Sequence, residues 1–210
     1  MKHKVMIVED QTMPRELFEL RIQASEHFEV ALSIDNAALA DVYCLRFPVD
    51  LILMDVVTRN GESGLDAAER IKRAFPQIKI IIVTSMPECS YLSRAREIGV
   101  ESFWYKEEQR ESMLDVMERT MAGESVYPDA TPELQLGLAS SYKFTDRELE
   151  VLREMTGGDT NQEIAERLHM SVATVKTHIL NMLEKTGFRN RTELAVRARE
   201  SGLVILNRKN

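Results

Sequence analysis

Five short apolar runs alternate with five helical patterns over residues 1–121, and this alternation constrains the fold more than any other feature. The apolar runs are residues 5–8, 29–32, 51–54, 78–83 and 102–105. The helical patterns are residues 14–25, 37–47, 65–75, 88–98 and 111–121, with apolar residues every three or four positions. Strands that alternate with helices predict an α/β doubly wound domain around a five-stranded parallel sheet.

The chain changes character after residue 121. Residues 122–143 contain two Gly, two Pro and a Ser pair, which predicts a linker with one short helical piece near 133–138. Residues 144–210 have helical patterns only. We therefore expect a domain at 1–121, a linker at 122–143 and an all-α four-helix domain at 144–210.

Capping signals divide the last domain into helices. Thr145 and Thr160 are each followed three positions later by Glu, so helices are expected to begin at Asp146 and Asn161. Ser171 is a third N-cap candidate. The link between the second and third helices is short, which is typical of a helix-turn-helix. A fourth helix is expected near 191–201.

Composition excludes several classes of protein. No apolar run approaches the ~18 residues of a membrane span, and the run at 5–8 is too short for a secretory signal. Cys44 and Cys89 lack metal-ligand spacing, which favours free thiols in the cytoplasm. The net charge is −7, yet residues 176–210 hold eight Lys and Arg against three Asp and Glu. A basic end on an acidic chain favours an anionic partner.

Chemically suitable side chains follow the predicted strands. Glu9 and Asp10 follow the first strand, Asp55 the third, Thr84 the fourth and Lys106 the fifth. Because ligands bind beyond the carboxyl ends of strands in open α/β sheets, we expect these side chains to share one crevice. Any one of them could instead be a helix cap or a solvated loop residue. Five at matching strand ends favour a site.

The predicted crevice suits a divalent cation and a phosphoryl group. Clustered carboxylates repel one another unless a cation is present, and oxygen donors without His or Cys favour Mg²⁺. The expected ligands are Glu9, Asp10, Asp55 and the backbone carbonyl of Val57. A lysine charge and a threonine hydroxyl suit a phosphoryl group, whose transfer depends on positioning and charge neutralisation.

The segments VMIVED, DLILMD, SGLDAAERIK, IIIVTS and FWYK resemble the receiver domain of bacterial two-component response regulators. The resemblance implies that Asp55 accepts a phosphoryl group from a sensor histidine kinase. It also implies that the two acids after the first strand hold Mg²⁺, and that Thr84 and Lys106 contact the phosphoryl group. Phe103 matches the family's switch aromatic, without a hydroxyl.

The loop after Asp55 departs from the family pattern. It reads VVTRNGESG, contains no Pro and reaches Gly64 one residue later than in the family. Val57 and Met86 stand two residues after Asp55 and Thr84. Apolar side chains there offer an attacking water no polar partner, so we expect a long-lived acyl phosphate.

The segments FTDRELEVL and GGDTNQEIAERLHMSVATVKTHILNMLEKTGFRNRTELA resemble the LuxR-type helix-turn-helix domain. The resemblance implies DNA binding, with the third helix in the major groove. Lys176 is the leading candidate for a base or phosphate contact. Further candidates on that helix are Thr174, Thr177, His178, Leu180 and Asn181. Candidates for positioning the domain on phosphates are Thr160, Ser171 and Arg191. Leu180 could meet a thymine methyl or another protein.

Together these features predict a phosphorylation-switched transcription regulator of the NarL/FixJ type. Phosphorylation of Asp55 would favour a homodimer that binds double-stranded promoter DNA. No catalysis is expected beyond Mg²⁺-dependent self-phosphorylation and autodephosphorylation. One alternative is an aspartyl phosphatase, which would need a second acid where the chain has Val57. Another is an atypical receiver that is switched by partner binding, or not at all.

Overall fold

The computed structural model describes residues 2–85, 89–106, 112–129 and 133–204. The chain divides into two compact units. The first consists of Met1–Ser85 and Tyr91–Ala130, and the second is formed mainly by Thr131–Asn210. Within the described ranges, no helix is long and apolar enough to cross a membrane.

Apart from two short two-stranded sheets, the elements follow the predicted alternation in the first unit and the predicted helical pattern in the second. The strands are β1 (His3–Val8), β2 (Phe28–Ile34), β3 (Leu51–Asp55), β4 (Val57–Thr58), β5 (Glu62–Ser63), β6 (Lys79–Thr84), β7 (Ser102–Tyr105), β8 (Gln135–Leu136) and β9 (Ala139–Ser140). The helices are α1 (Thr12–Gln23), α2 (Ala40–Arg46), α3 (Gly64–Ala74), α4 (Cys89–Ile98), α5 (Met113–Met121), α6 (Asp146–Thr156), α7 (Asn161–Arg167), α8 (Val172–Thr186) and α9 (Arg191–Glu200).

The first unit is built on a parallel sheet with the strand order β2-β1-β3-β6-β7. All five residues of β3 are buried, because the strand is central and covered on both faces. Side chains of α1 and α5 pack with alternate residues of β1, β3 and β6 in one core cluster. Helix α3 contacts β3 and β6. The predicted α/β doubly wound, five-stranded parallel sheet is confirmed.

The region predicted as one helix at 37–47 is divided. Residues Ala37–Leu39 form a 3₁₀ turn and α2 follows it. The Asn36 side chain accepts a hydrogen bond from the Ala38 amide at 2.7 Å, and the Ala37 amide donates to the Thr58 hydroxyl at 2.9 Å. These amides are held by side chains, so the regular helix begins later.

The helical piece predicted near 133–138 is wrong. Strands β8 and β9 form an antiparallel hairpin there, turning at Gly137 with φ 62°. A Cβ at Gly137 would lie 2.2 Å from the carbonyl oxygen of Thr186, and the Leu138 amide donates to that oxygen at 2.9 Å. Packing of the turn on the end of α8 therefore overrides the local helical pattern.

The first residues of the predicted linker pack along the edge strand β7. The Phe103 amide donates to the Val126 carbonyl at 2.8 Å, and the Val126 amide donates to Ser102 Oγ at 3.1 Å. The Tyr127 hydroxyl donates to the Val100 carbonyl at 2.8 Å. Residues 122–129 thus belong to the packed surface of the first unit, whereas the linker boundaries at 122 and 143 stay predictions.

The second unit begins its helices where the caps predict. Helices α6 and α7 begin at Asp146 and Asn161, and the Thr145–Glu148 and Thr160–Glu163 capping boxes both form. Ser171 caps α8, accepting from the Thr174 amide at 3.0 Å. His169, with φ 52°, makes the turn between α7 and α8. The predicted helix-turn-helix and all-α region are confirmed.

A partly buried ion pair joins α6 to α8. Glu148 is buried, and its carboxylate accepts from Lys185 Nζ at 2.8 and 2.6 Å and from the Thr145 amide at 2.8 Å. Burial acts to raise the pKa of Glu148, but the hydrogen bonds and charge of Lys185, together with Thr145, lower it below its usual value.

Candidate functional site

Asp55 is the last residue of the central strand β3 and is only 6% exposed. Its Oδ1 accepts a hydrogen bond from the Val56 amide at 2.7 Å. Its Oδ2 accepts one from Lys106 Nζ at 2.9 Å. The strand therefore presents one carboxylate at the edge of the sheet, held by an ammonium group and a backbone amide.

Two further acids stand beside Asp55. Glu9 is 1% exposed; its Oε2 accepts from Lys106 Nζ at 2.5 Å and its Oε1 from the Gln11 amide at 3.1 Å. One carboxylate oxygen from each of Glu9, Asp10 and Asp55 lies within 4.8 Å of the others. The fold thus gathers the three acids that the sequence places after β1 and β3.

The electrostatics of the cluster favour a bound cation. Burial raises the pKa of Asp55 to about 7, against the opposing charge of Lys106 and with a further contribution from Glu9. Burial acts to lower the pKa of Lys106, but the charges and hydrogen bonds of Asp55 and Glu9 raise it above its usual value. The Lys106 ammonium group is thus the hydrogen-bond donor to two buried carboxylates, Glu9 and Asp55, and Asp10 lies beside them. A divalent cation would suit this set of oxygen donors.

Thr84 and Lys106 reach the same edge of the sheet. Asp55 pairs with Val83 across β3 and β6, so Thr84 lies one residue beyond Asp55 in the register. Thr84 is buried and its carbonyl accepts from the Lys106 amide at 2.9 Å. The residues predicted to share a crevice therefore lie at one edge.

Phe103 lies further inside, in β7. It is buried, with its ring centroid 5.0 Å from that of Tyr105 and 6.3 Å from that of Tyr127. Arg96 covers the Tyr127 ring at 4.7 Å. The predicted switch aromatic therefore touches the packed segment 122–129, a contact that the sequence did not predict.

The loop after Asp55 is a small β-hairpin. Strands β4 and β5 pair antiparallel, with Val57 opposite Ser63. Asn60 and Gly61 have φ 64° and 74°, and the Glu62 amide donates to the Arg59 carbonyl, as in a type I′ turn. We did not predict this hairpin, although Asn-Gly is its strongest local signal.

The hairpin is fixed to the loop before α2. Buried Thr58 accepts from the Ala37 amide at 2.9 Å and donates to the Glu62 carbonyl at 3.1 Å. Arg59 pairs with Asp35 at 2.7 Å. These contacts fix the hairpin to the segment before α2 and not to the strand end that carries the phosphoacceptor candidate.

Gly64 closes the hairpin against the site. A Cβ there would lie 1.8 Å from the backbone oxygen of Asp55, and the Gly64 amide donates to the Val56 carbonyl at 2.8 Å. Only glycine permits this approach. Val57 is half-buried, and Met86 lies outside the described residues.

The helix α8 presents most of the predicted DNA-contacting residues to solvent. Thr174, Lys176, Thr177 and Asn181 are exposed, Leu180 is 65% exposed, and His178 is half-buried. The opposite face is buried and includes Val175, Ile179 and Met182. The helix thus has one face packed in the core of the second unit and one face exposed to solvent.

The residues predicted to position the domain have structural partners as well. Thr160 and Ser171 cap α7 and α8. Arg191 donates to Asn161 Oδ1 at 2.6 Å and to the Asp159 carbonyl, bracing α9 against the loop before α7. Burial lowers the pKa of Arg191 below its usual value, although the charge of Asp159 opposes this.

Comparison with known families now decides the identity of the chain. The family model for the response regulator receiver domain matches residues 5–118, which is more than half of the chain. The chain belongs to the response regulator family. The model for bacterial regulatory proteins of the LuxR family matches residues 142–198. The regulator thus combines a receiver domain with a LuxR-type DNA-binding domain.

Two relatives match nearly the whole chain. The regulator is 31% identical over 209 residues to the response regulator protein VraR of Staphylococcus aureus strain Mu3, covering 96% of this chain and 98% of that protein. It is 32% identical, with the same coverage, to VraR of Staphylococcus epidermidis strain RP62A. These matches extend over both units.

Solved structures share the fold at lower identity. The two-component response regulator RcsB in complex with DNA matches with TM-score 0.62 and 18% identity, covering 95% of this chain and 98% of that chain. RcsB from Salmonella enterica serovar Typhimurium, bound to the promoter rprA with the phosphomimetic BeF3⁻, matches with TM-score 0.61 and 20% identity, covering 93% and 98%. At this identity the likeness supports the fold.

Proposed function

We propose that a sensor histidine kinase transfers a phosphoryl group to Asp55 and that this transfer controls dimerisation and promoter binding in the cytoplasm. The observation that carries the proposal is the position of Asp55. A nearly buried carboxylate ends the central strand, with two acids, a lysine and a threonine at the same edge. Membership of the response regulator family supports the same assignment.

The proposed transfer is an exchange of one bond at phosphorus. A carboxylate oxygen of Asp55 attacks, the bond from phosphorus to the kinase histidine nitrogen breaks, and its electron pair stays on that nitrogen. Attack requires the ionised Asp55 carboxylate. Because burial raises the pKa of this group, a proton bound to it must leave before the attack. Lys106, 2.9 Å from Asp55, would then offset the phosphoryl charge, and the Thr84 hydroxyl would donate to a phosphoryl oxygen.

The metal proposal rests on the donor set. Glu9, Asp10 and Asp55 would hold Mg²⁺ together with the Val57 carbonyl. The bound ion would offset the charges of the carboxylates and of the incoming phosphoryl group. Lys106 would then turn from Glu9 toward the phosphoryl oxygens, because the bound Mg²⁺ would offset the charges of Glu9 and Asp55.

Val57 bears on the lifetime of the acyl phosphate. Its half-buried apolar side chain offers no hydrogen bond to a water beside Asp55. We propose slow hydrolysis for this reason. Faster loss of the label from Val57→Asn than from the wild type would support it, and equal rates would contradict it.

The test is phosphorylation by acetyl phosphate with Mg²⁺, followed by intact mass and size-exclusion chromatography. Wild type should gain one phosphoryl group and shift toward a dimer, whereas Asp55→Asn should do neither. Asp41→Asn, at a half-buried carboxylate on α2 that pairs with Arg70, is the matched control and should behave as the wild type. Absence of any Asp55-dependent change would favour the atypical receiver instead.

DNA binding is tested separately on the same samples. Binding to selected double-stranded DNA should strengthen after phosphorylation, and Lys176→Ala should weaken it and reduce its salt dependence. Phosphorylation without any effect on DNA binding would contradict the proposed coupling while leaving the receiver chemistry intact.

A further inference from the structure

The outward face of α8 carries an unusual hydrocarbon strip. The exposed residues Ala173, Thr177 and Leu180 recur at spacings of four and three, so they lie on one face over consecutive helical turns. Leu180 is 65% exposed, in the middle of a helix whose other large aliphatic residues are buried or partly buried. The core of the second unit therefore does not account for this side chain.

Thr177 adds to the apolar character of the strip. Its hydroxyl donates to the Ala173 carbonyl at 3.0 Å, so its hydrogen is already used within the helix. The methyl group of Thr177 remains available for an apolar contact with a partner. Ala173 contributes a methyl group and Leu180 a branched side chain, giving three neighbouring hydrocarbon groups.

The chemistry of the major groove identifies what this strip fits. The 5-methyl group of thymine is the apolar feature that base edges present there, and Ala, Thr methyl and other apolar side chains contact it. The exposed polar neighbours Lys176 and Asn181 have other preferences, Lys for guanine and Asn for adenine. Three neighbouring hydrocarbon groups therefore favour thymine, which carries the 5-methyl group, over cytosine, which lacks it.

We propose that Ala173, Thr177 and Leu180 read thymine methyl groups within each half-site, with Leu180 as the main specificity-determining residue. This inference rests on the proposed DNA binding of α8. It predicts a half-site with thymine where the middle of the recognition helix meets the bases. Removing one contacted methyl group should weaken binding about four-fold, from the free energy of burying one such group.

The experiment first selects a preferred site for the phosphorylated full-length protein from random double-stranded DNA. Each thymine of that site is then replaced by deoxyuridine, which removes only the 5-methyl group. Wild type should lose affinity at one or more thymines. Leu180→Ala should bind the thymine and deoxyuridine forms of at least one position equally, while Leu180→Met should keep most of the discrimination.

Leu20→Ala is the matched control, because Leu20 is 64% exposed but lies on α1 in the first unit. It should discriminate as the wild type does. Equal binding of all deoxyuridine forms by wild type would overturn the inference. Unchanged discrimination by Leu180→Ala, with a changed oligomeric state, would overturn it in favour of a protein contact. Failure of wild type to bind any selected DNA would instead overturn the proposed function.

Discussion

Replacing Asp55 by Asn should flatten the pH dependence of the first unit's free energy of unfolding in the absence of divalent ions. Burial raises the pKa of Asp55 to about 7, whereas an aspartate in an unfolded chain has a pKa of about 3.9. Between these values the folded state holds a proton that the unfolded state has released. The stability that Asp55 contributes is therefore fully present below its pKa in the unfolded state. It is lost as the pH rises through its pKa in the folded state.

The size of the effect follows from the interval. Each pH unit between the two pKa values changes the free energy of unfolding by about 1.4 kcal/mol. From about pH 5 to about pH 7, the wild type should lose about 2 kcal/mol through Asp55, because the slope falls to half at the upper pKa. Asp55→Asn holds no such proton. Loss of the hydrogen bond to Lys106 changes the free energy of unfolding of this variant, but it does not add this dependence on pH.

Trp104 allows the measurement in the full chain. It is the only tryptophan and lies buried in β7 of the first unit. Urea unfolding followed by its fluorescence, with a chelator present, gives the free energy at each pH. Asp50→Asn is the control, because this exposed residue precedes the same strand and accepts from the Lys4 amide.

Wild type and Asp50→Asn should both lose about 2 kcal/mol more than Asp55→Asn over this pH range. Added Mg²⁺ should stabilise the wild type at high pH and leave Asp55→Asn unchanged. Equal slopes for wild type and Asp55→Asn would refute the argument that burial protonates this carboxylate.

Three further changes test other parts of the structure. Gly64→Ala should destabilise the first unit by about 3 kcal/mol, because its Cβ would meet the Asp55 backbone oxygen; fluorescence-monitored unfolding measures this, and wild-type stability would contradict it. Glu148→Gln should destabilise the second unit by about 2 kcal/mol near neutral pH, because it removes the charge that is hydrogen-bonded to Lys185. Because folding lowers the pKa of Glu148, the difference in stability between the variant and the wild type should shrink as the pH falls below the usual glutamate pKa. Hydrogen exchange of the α6 amides measures this difference. A difference that does not depend on pH would contradict the role of the ion pair. Tyr127→Phe should cost about 1 kcal/mol of protection at β7, through loss of its hydroxyl hydrogen bond, and unchanged exchange there would show that the packed segment is held by other contacts.

The sequence was sufficient for features that depend on regular periods. Apolar runs such as 51–54 identify buried strands, and parallel strands bring Glu9, Asp55 and Lys106 to one edge wherever they stand in the sequence. Cap positions likewise located the starts of α6 and α7, because a capping box is a local interaction.

The features that escaped prediction depend on contacts between distant residues. The hairpin at Gly137 is set by the end of α8, which lies about fifty residues later in the chain. Residues 122–129 look like a linker by composition, yet pair with the free edge of β7. The Asn60–Gly61 turn was the exception, because its signal was local and was passed over.

The contact between Gly64 and the backbone of Val56 makes the geometry of the site independent of the length of the preceding loop. The loop leaves the strand at Asp55 and returns at Gly64, whose amide is bound to the Val56 carbonyl. We therefore expect that residues can be added or removed at the exposed Asn60–Gly61 tip without displacing Asp55, the proposed phosphoacceptor. Related chains could thus vary this loop while keeping their phosphorylation chemistry, and the tip offers a position for a reporter peptide close to Asp55.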